Sequence, residues 1–89
     1  MLIALIARDK PGALQTRLDT REAHVAYLKD TGVVSQAGPL LDYAGQMIGS
    51  LVILDVADMQ AAQDWAAADP YAKAGLFANV ELIPWKKVI

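Results

Sequence analysis

Residues 47–56 read MIGSLVILDV, and the fold turns on the fact that both alternating registers of this stretch are largely apolar. The even positions are Ile48, Ser50, Val52, Leu54 and Val56, and the odd ones are Gly49, Leu51, Ile53 and Asp55. A strand sends successive side chains to opposite faces, so neither face of this one suits water. Helices of the same chain can cover one face. A four-stranded sheet with helices on one side would still expose more apolar surface on the other than monomers usually tolerate. A second subunit packed sheet against sheet is the simplest cover, so a homodimer through the open face is expected. The alternative is that the C-terminal segment folds across part of that face.

On either side of this strand the pattern changes period. Residues 33–41, VVSQAGPLL, form a β-branched run joined to it by the glycine-containing loop 42–46, which predicts a hairpin. LIALIA (2–7), ended by Arg8-Asp9-Lys10 and the turn pair Pro11-Gly12, predicts a buried strand. Residues 13–31 are rich in helix formers, with a break expected near Asp19-Thr20, where Thr20 would cap a second segment, and with Gly32 as the stop. Asp58 is placed to cap a helix through MQAAQDWAAA, and NVELIPWKKVI (79–89) predicts a last strand in which Pro84 marks an edge or a bulge. The order β-α-β-β-α-β is the ferredoxin-like α+β arrangement, a four-stranded antiparallel sheet with two helices on one face. A chain of 89 residues is expected to be a single domain.

Composition narrows the function classes. A net charge of -2, with no basic run longer than Lys86-Lys87, leaves no footprint for nucleic acid. The longest uncharged run, 43–54, falls well short of the roughly 18 residues of a membrane span. The start MLIALIARDK lacks the basic region and cleavage pattern of a secretory signal, so the cytoplasm is the expected compartment. With no cysteine, thiolate nucleophiles and disulfides are excluded, and one histidine among scattered aspartates lacks the spacing of a metal site. No phosphate-binding glycine loop or nucleophile elbow occurs, so no cofactor is expected.

The chemistry then rests on few residues. His24 is the only histidine, and helical periodicity puts it on one face with Tyr27, Leu28 and Thr31, away from Glu22 and Lys29. In the second helix Asp69 falls in the stripe of Met59, Ala62, Trp65 and Ala66. Alternating element directions bring the start of the first helix and the end of the second to one end of the molecule, together with the turn at Gly38 and the opening of the third strand at Gly49-Ser50. An inward carboxylate in a low-dielectric corner needs a partner, and a histidine would hold it ionised. Other readings stand beside this one. Asp69 followed by Pro70 is also a favoured helix start, His24 is also a histidine satisfied within a core, Ser50 a small strand residue, Trp65 and Tyr27 core aromatics, and Arg21 a solvated helix residue.

TREAHVAYL, AGP, GSLVILDVADMQAAQDWAAADPYAKAGLF and the closing IPWKKV together resemble the YciI-like, YCII-related family over nearly the whole chain, most specifically in the AxxWxxxDPYxxAGL segment. The resemblance implies a ferredoxin-like fold that pairs into a dimeric α+β barrel. It also implies that the family's proposed His-Asp catalytic dyad corresponds to His24 and Asp69. A relative in this family eliminates hydrogen chloride from a hydroxylated ring, which makes elimination or tautomerisation the expected chemistry. Glu22 departs from the family's common RPxH pattern, which bears on the helix entrance and thus on the substrate class.

Three functions follow as expectations. In the first, a small-molecule enzyme, Asp69 fixes the His24 tautomer while the other ring nitrogen moves a proton; Ser50 and backbone groups at Gly38 bind a developing oxyanion, Arg21 holds a substrate anion, and Tyr71 of the DPY segment contacts substrate. In the second, the same corner only binds a small ligand for an accessory role. In the third, suggested by fold analogy alone, the chain is a cofactor-free oxygenase.

Overall fold

In the computed structural model, which describes residues 1–89, the elements are β1 (Leu2–Asp9), α1 (Leu14–Thr31), β2 (Val34–Leu41), β3 (Met47–Asp55), α2 (Met59–Ala68), α3 (Pro70–Lys73) and β4 (Phe77–Pro84). The four strands form one antiparallel sheet in the order β2-β3-β1-β4, the ferredoxin-like α+β topology. The β2-β3 hairpin closes on Asp42, whose Oδ1 accepts from the backbone N–H of Ala44 and of Gln46, while Gly45 takes the positive φ of 85° that the turn requires.

The register explains the two apolar faces of β3. Ile3, Leu5 and Ala7 of β1 lie opposite Leu54, Val52 and Ser50 of β3, and this face meets Ala62 and Trp65 of α2 in the core. Burying one such aliphatic side chain stabilises the fold by about 1.5–3 kcal/mol, and Ile3, Leu5, Val52 and Leu54 are all essentially inaccessible. The other face carries Ala4, Ile6, Leu51, Ile53 and Ile83. Leu51 and Ile83 on it are exposed. The last two residues, Val88 and Ile89, stand in solvent and do not cover it.

The structure corrects the sequence expectation in three places. First, α1 is unbroken. The propensity cost of Asp19 and Thr20 is at most about 0.7 kcal/mol each, too little to interrupt a helix, and Asp19 itself accepts from Gln15 one turn before it. Gly32 does end it, with φ 69°. Second, because α1 starts at Leu14, His24 lies past its midpoint rather than near its start. Third, the last strand begins earlier, at Phe77, and stops at Pro84, leaving 85–89 outside the sheet. β4 is an edge strand, which tolerates Pro84, while the pairing irregularity lies at its other end, between Arg8 and Asp9 of β1.

Candidate active site

Asp58 caps α2 by accepting from Ala61 N–H, and the helix ends at Ala68 because Asp69 turns to extended backbone, with ψ 129°. Pro70 then starts α3, with Asp69 as its cap: Oδ1 accepts from Tyr71 N–H at 2.9 Å. The same oxygen lies 2.8 Å from His24 Nδ1, within hydrogen-bond distance. Capping and histidine pairing, alternatives in the sequence, are thus met by one carboxylate. α3 packs against α1, which is how Asp69 reaches a histidine beyond the helix midpoint. The pair is enclosed, with side-chain exposures of 9% for His24 and 2% for Asp69.

Tyr71 forms the floor beneath the imidazole. Its ring stacks on His24 at 3.8 Å between centroids and 16° between planes, and the Arg17 guanidinium carbon lies 4.7 Å from its centroid. Burial pushes the Tyr71 phenol above its ordinary pKa, with Asp69 acting in the same sense and the Arg17 and Arg21 charges opposing. Tyr27 is raised by burial and by Asp69. It belongs to the clasp between helices: its hydroxyl donates to the Trp65 carbonyl, and Trp65 Nε1 donates to Thr31 Oγ1, so both aromatics serve packing.

A cleft of about 210 Å³ opens between α1 and the β2-β3 hairpin. Its polar end is formed by Arg17, Arg21, His24, Ser50 and Tyr71. Val25, Leu28, Pro39, Met47 and Val52 wall the rest, and Gly38 lies on the β2 side. His24 Nδ1 is spent on Asp69. Nε2 has no protein partner and is not sealed in, so its open side is the cleft. Arg21 lines the same space and forms no salt bridge.

Of the residues singled out in the sequence, Arg21, His24, Gly38, Ser50 and Tyr71 line one cleft and Asp69 lies behind His24, whereas Tyr27 and Trp65 belong to the helix packing. Two neighbours were missed. Arg17, 2% exposed, donates from Nε and Nη2 to the two oxygens of Asp9 at 2.7 and 2.8 Å, and from Nη2 to Ser50 Oγ at 2.9 Å. Burial alone would lower its pKa, but the hydrogen bonds and charge of Asp9 outweigh that and raise it. The available signal was spacing: Arg17, Arg21, His24 and Leu28 recur at intervals of three and four, one stripe of a helix.

Comparison with known proteins places this chain in a lineage. Protein YciI of Escherichia coli O6:H1 is 41% identical, with 99% of each chain covered, and an uncharacterised protein of Haemophilus influenzae is 42% identical with the same coverage. Among solved structures, 5-chloro-2-hydroxyhydroquinone dehydrochlorinase from Burkholderia phenoliruptrix AC1100, in complex with 2,5-dihydroxybenzoquinone, superposes with a TM-score of 0.90 at 34% identity, covering 97% of this chain and 94% of its own. The model of the YCII-related domain matches residues 1–86, and the chain belongs to that family.

Proposed function

We propose that the protein is a small-molecule acid/base catalyst in which His24 and Asp69 act as a dyad, with elimination or tautomerisation of a hydroxylated ring as its reaction class. The observation that carries this reading is the asymmetry of the imidazole: one nitrogen is tied to a buried carboxylate and the other opens on the cleft. Asp69 accepts from Nδ1–H and so leaves the lone pair on Nε2. Nε2 takes a proton from the substrate, the released electron pair moves into the ring system, and a leaving group departs with its bonding electrons, or the proton returns at another atom. Neither course needs an oxidant or reductant. Positioned proton transfer supplies about 10²–10⁴ in rate, which suits a substrate whose proton is already acidic.

Size and charge favour the same class. A cavity of about 150 Å³ holds a benzene ring, so about 210 Å³ accommodates one ring with small substituents. Arg21, without an acidic partner, would meet a phenolate or carboxylate, Ser50 and the Gly38 backbone a developing oxyanion, and Tyr71 the ring edge. The similarity to a dehydrochlorinase that binds a dihydroxyquinone supports a ring of that kind. The apolar open face of the sheet supports a homodimer.

The test is turnover of 5-chloro-2-hydroxyhydroquinone and of small enolisable acids, followed by halide release and ultraviolet absorbance, with His24→Ala as control. The wild-type protein should turn over at least one of them, and His24→Ala should lose about 10²-fold or more while keeping its circular dichroism. Unchanged turnover in His24→Ala, or a loss fully explained by unfolding, contradicts the dyad.

A further inference from the structure

The buried pair of Asp9 and Arg17 lies beside the dyad and is not part of it. Both side chains are nearly inaccessible, with exposures of 6% and 3%. Buried ion pairs contribute little net stability, because desolvation offsets most of their attraction. This one is directed at a particular neighbour. Ile3, Leu5 and Ala7 face the helices, and Asp9, next in that alternation, faces the same way. Ala7 lies opposite Ser50, so Arg17 reaches Asp9 and Ser50 side by side.

The hydrogen-bond arithmetic at Ser50 is restrictive. A guanidinium has donors only, so the bond from Arg17 Nη2 occupies a lone pair of Ser50 Oγ and cannot receive its hydrogen. The hydroxyl has no acceptor of its own in the protein, although Ser50 is 3% exposed. Ser50 lines the cleft, and the cleft is where that hydrogen can find a partner. Arg17 and His24 both lie against the Tyr71 ring, which puts the hydroxyl and the open imidazole nitrogen around the same small space.

We infer that Asp9 and Arg17 are positioning residues acting through Ser50: they occupy one lone pair of its hydroxyl, polarise it and leave its hydrogen directed to the cleft, where it donates to an oxygen anion or carbonyl of a single-ring ligand. The site thereby favours an acceptor at that point over a group that only donates, because a donor could use the remaining lone pair but would leave the buried Ser50 hydrogen unpaired. Asp9 fixes the guanidinium by its two-pronged bond, a geometry that lysine cannot reproduce. The inference rests on the ligand class proposed for the cleft, but not on catalysis.

The experiment is a calorimetric double-mutant cycle with 2,5-dihydroxybenzoquinone as probe, on wild type, Ser50→Ala, Arg17→Lys and the double variant, with folding checked by circular dichroism. Ser50→Ala should weaken binding about tenfold or more, the effect of losing a charge-assisted bond. Arg17→Lys should weaken wild type but have no further effect in the Ser50→Ala background, because its action passes through the hydroxyl. If Arg17→Lys does not fold, Asp9→Asn, which keeps size and shape, takes its place in the cycle. Wild-type protein that does not bind the probe, Ser50→Ala binding within twofold of wild type, or additive losses would each overturn the inference. A probe held through Ser50 by a protein that turns nothing over would instead sink the catalytic reading and leave this one standing.

Discussion

At the scale of single residues, Tyr71 offers a test that needs no substrate. Its phenol is held above its ordinary pKa mainly by burial, so the folded protein binds that proton more tightly than the unfolded chain does. The contribution to stability is complete below the unfolded value of about 10 and is lost as pH climbs through the higher folded value. Tyr27 acts in the same direction. Denaturant midpoints of the wild type should therefore fall on going above pH 10, and Tyr71→Phe, which keeps the stacked ring, should fall less steeply; equal slopes would contradict the burial argument. Residue-level legibility in the sequence was uneven for a physical reason. His24 and Asp69 stand out because a lone histidine and an Asp-Pro pair interrupt apolar stripes. Arg17 and Asp9 look like ordinary surface charges, and only the tertiary fold shows that they neutralise each other in the interior.

At the scale of elements, strand periodicity was the clearest signal. β3 reads directly from residues 47–56, and the two registers fall on the helix-covered and open faces as expected. The helices were harder. α2 has an apolar stripe and a side-chain cap, and its start at Met59 follows from Asp58. α1 has neither: Ala13 makes no side-chain capping bond, and the stripe turned toward the cleft holds Arg17, Arg21 and His24, so polar groups occupy the face where a core helix carries leucines. The expected break at Thr20 came from giving weight to a local propensity cost too small to interrupt a helix. Those polar residues hold α1 by Arg17 to Asp9 and His24 to Asp69, and the space left between α1 and the hairpin is the cleft itself. The element that conforms least to an amphipathic pattern is thus the one that builds the candidate site.

At the scale of the whole molecule, the open sheet face is the surface on which the proposed homodimer rests. Leu51 and Ile83 are exposed there and Ile6 is half-buried between them, a surface suited to a second copy of the chain, while Ala4 and Ile53 on the same face are buried. Sedimentation velocity should show a dimer, and Leu51→Lys should shift it to monomer while the cleft residues on the opposite side of the sheet keep their contacts. A monomeric wild type would remove the proposed role of that face. The acid/base proposal depends on which imidazole nitrogen carries hydrogen, and nitrogen NMR reports this directly because His24 supplies the only imidazole signal in the chain. With the ring neutral, the spectrum should show hydrogen on Nδ1, bonded to Asp69, and a bare Nε2, an arrangement lost in Asp69→Ala. Hydrogen on Nε2 in the wild-type protein would contradict it.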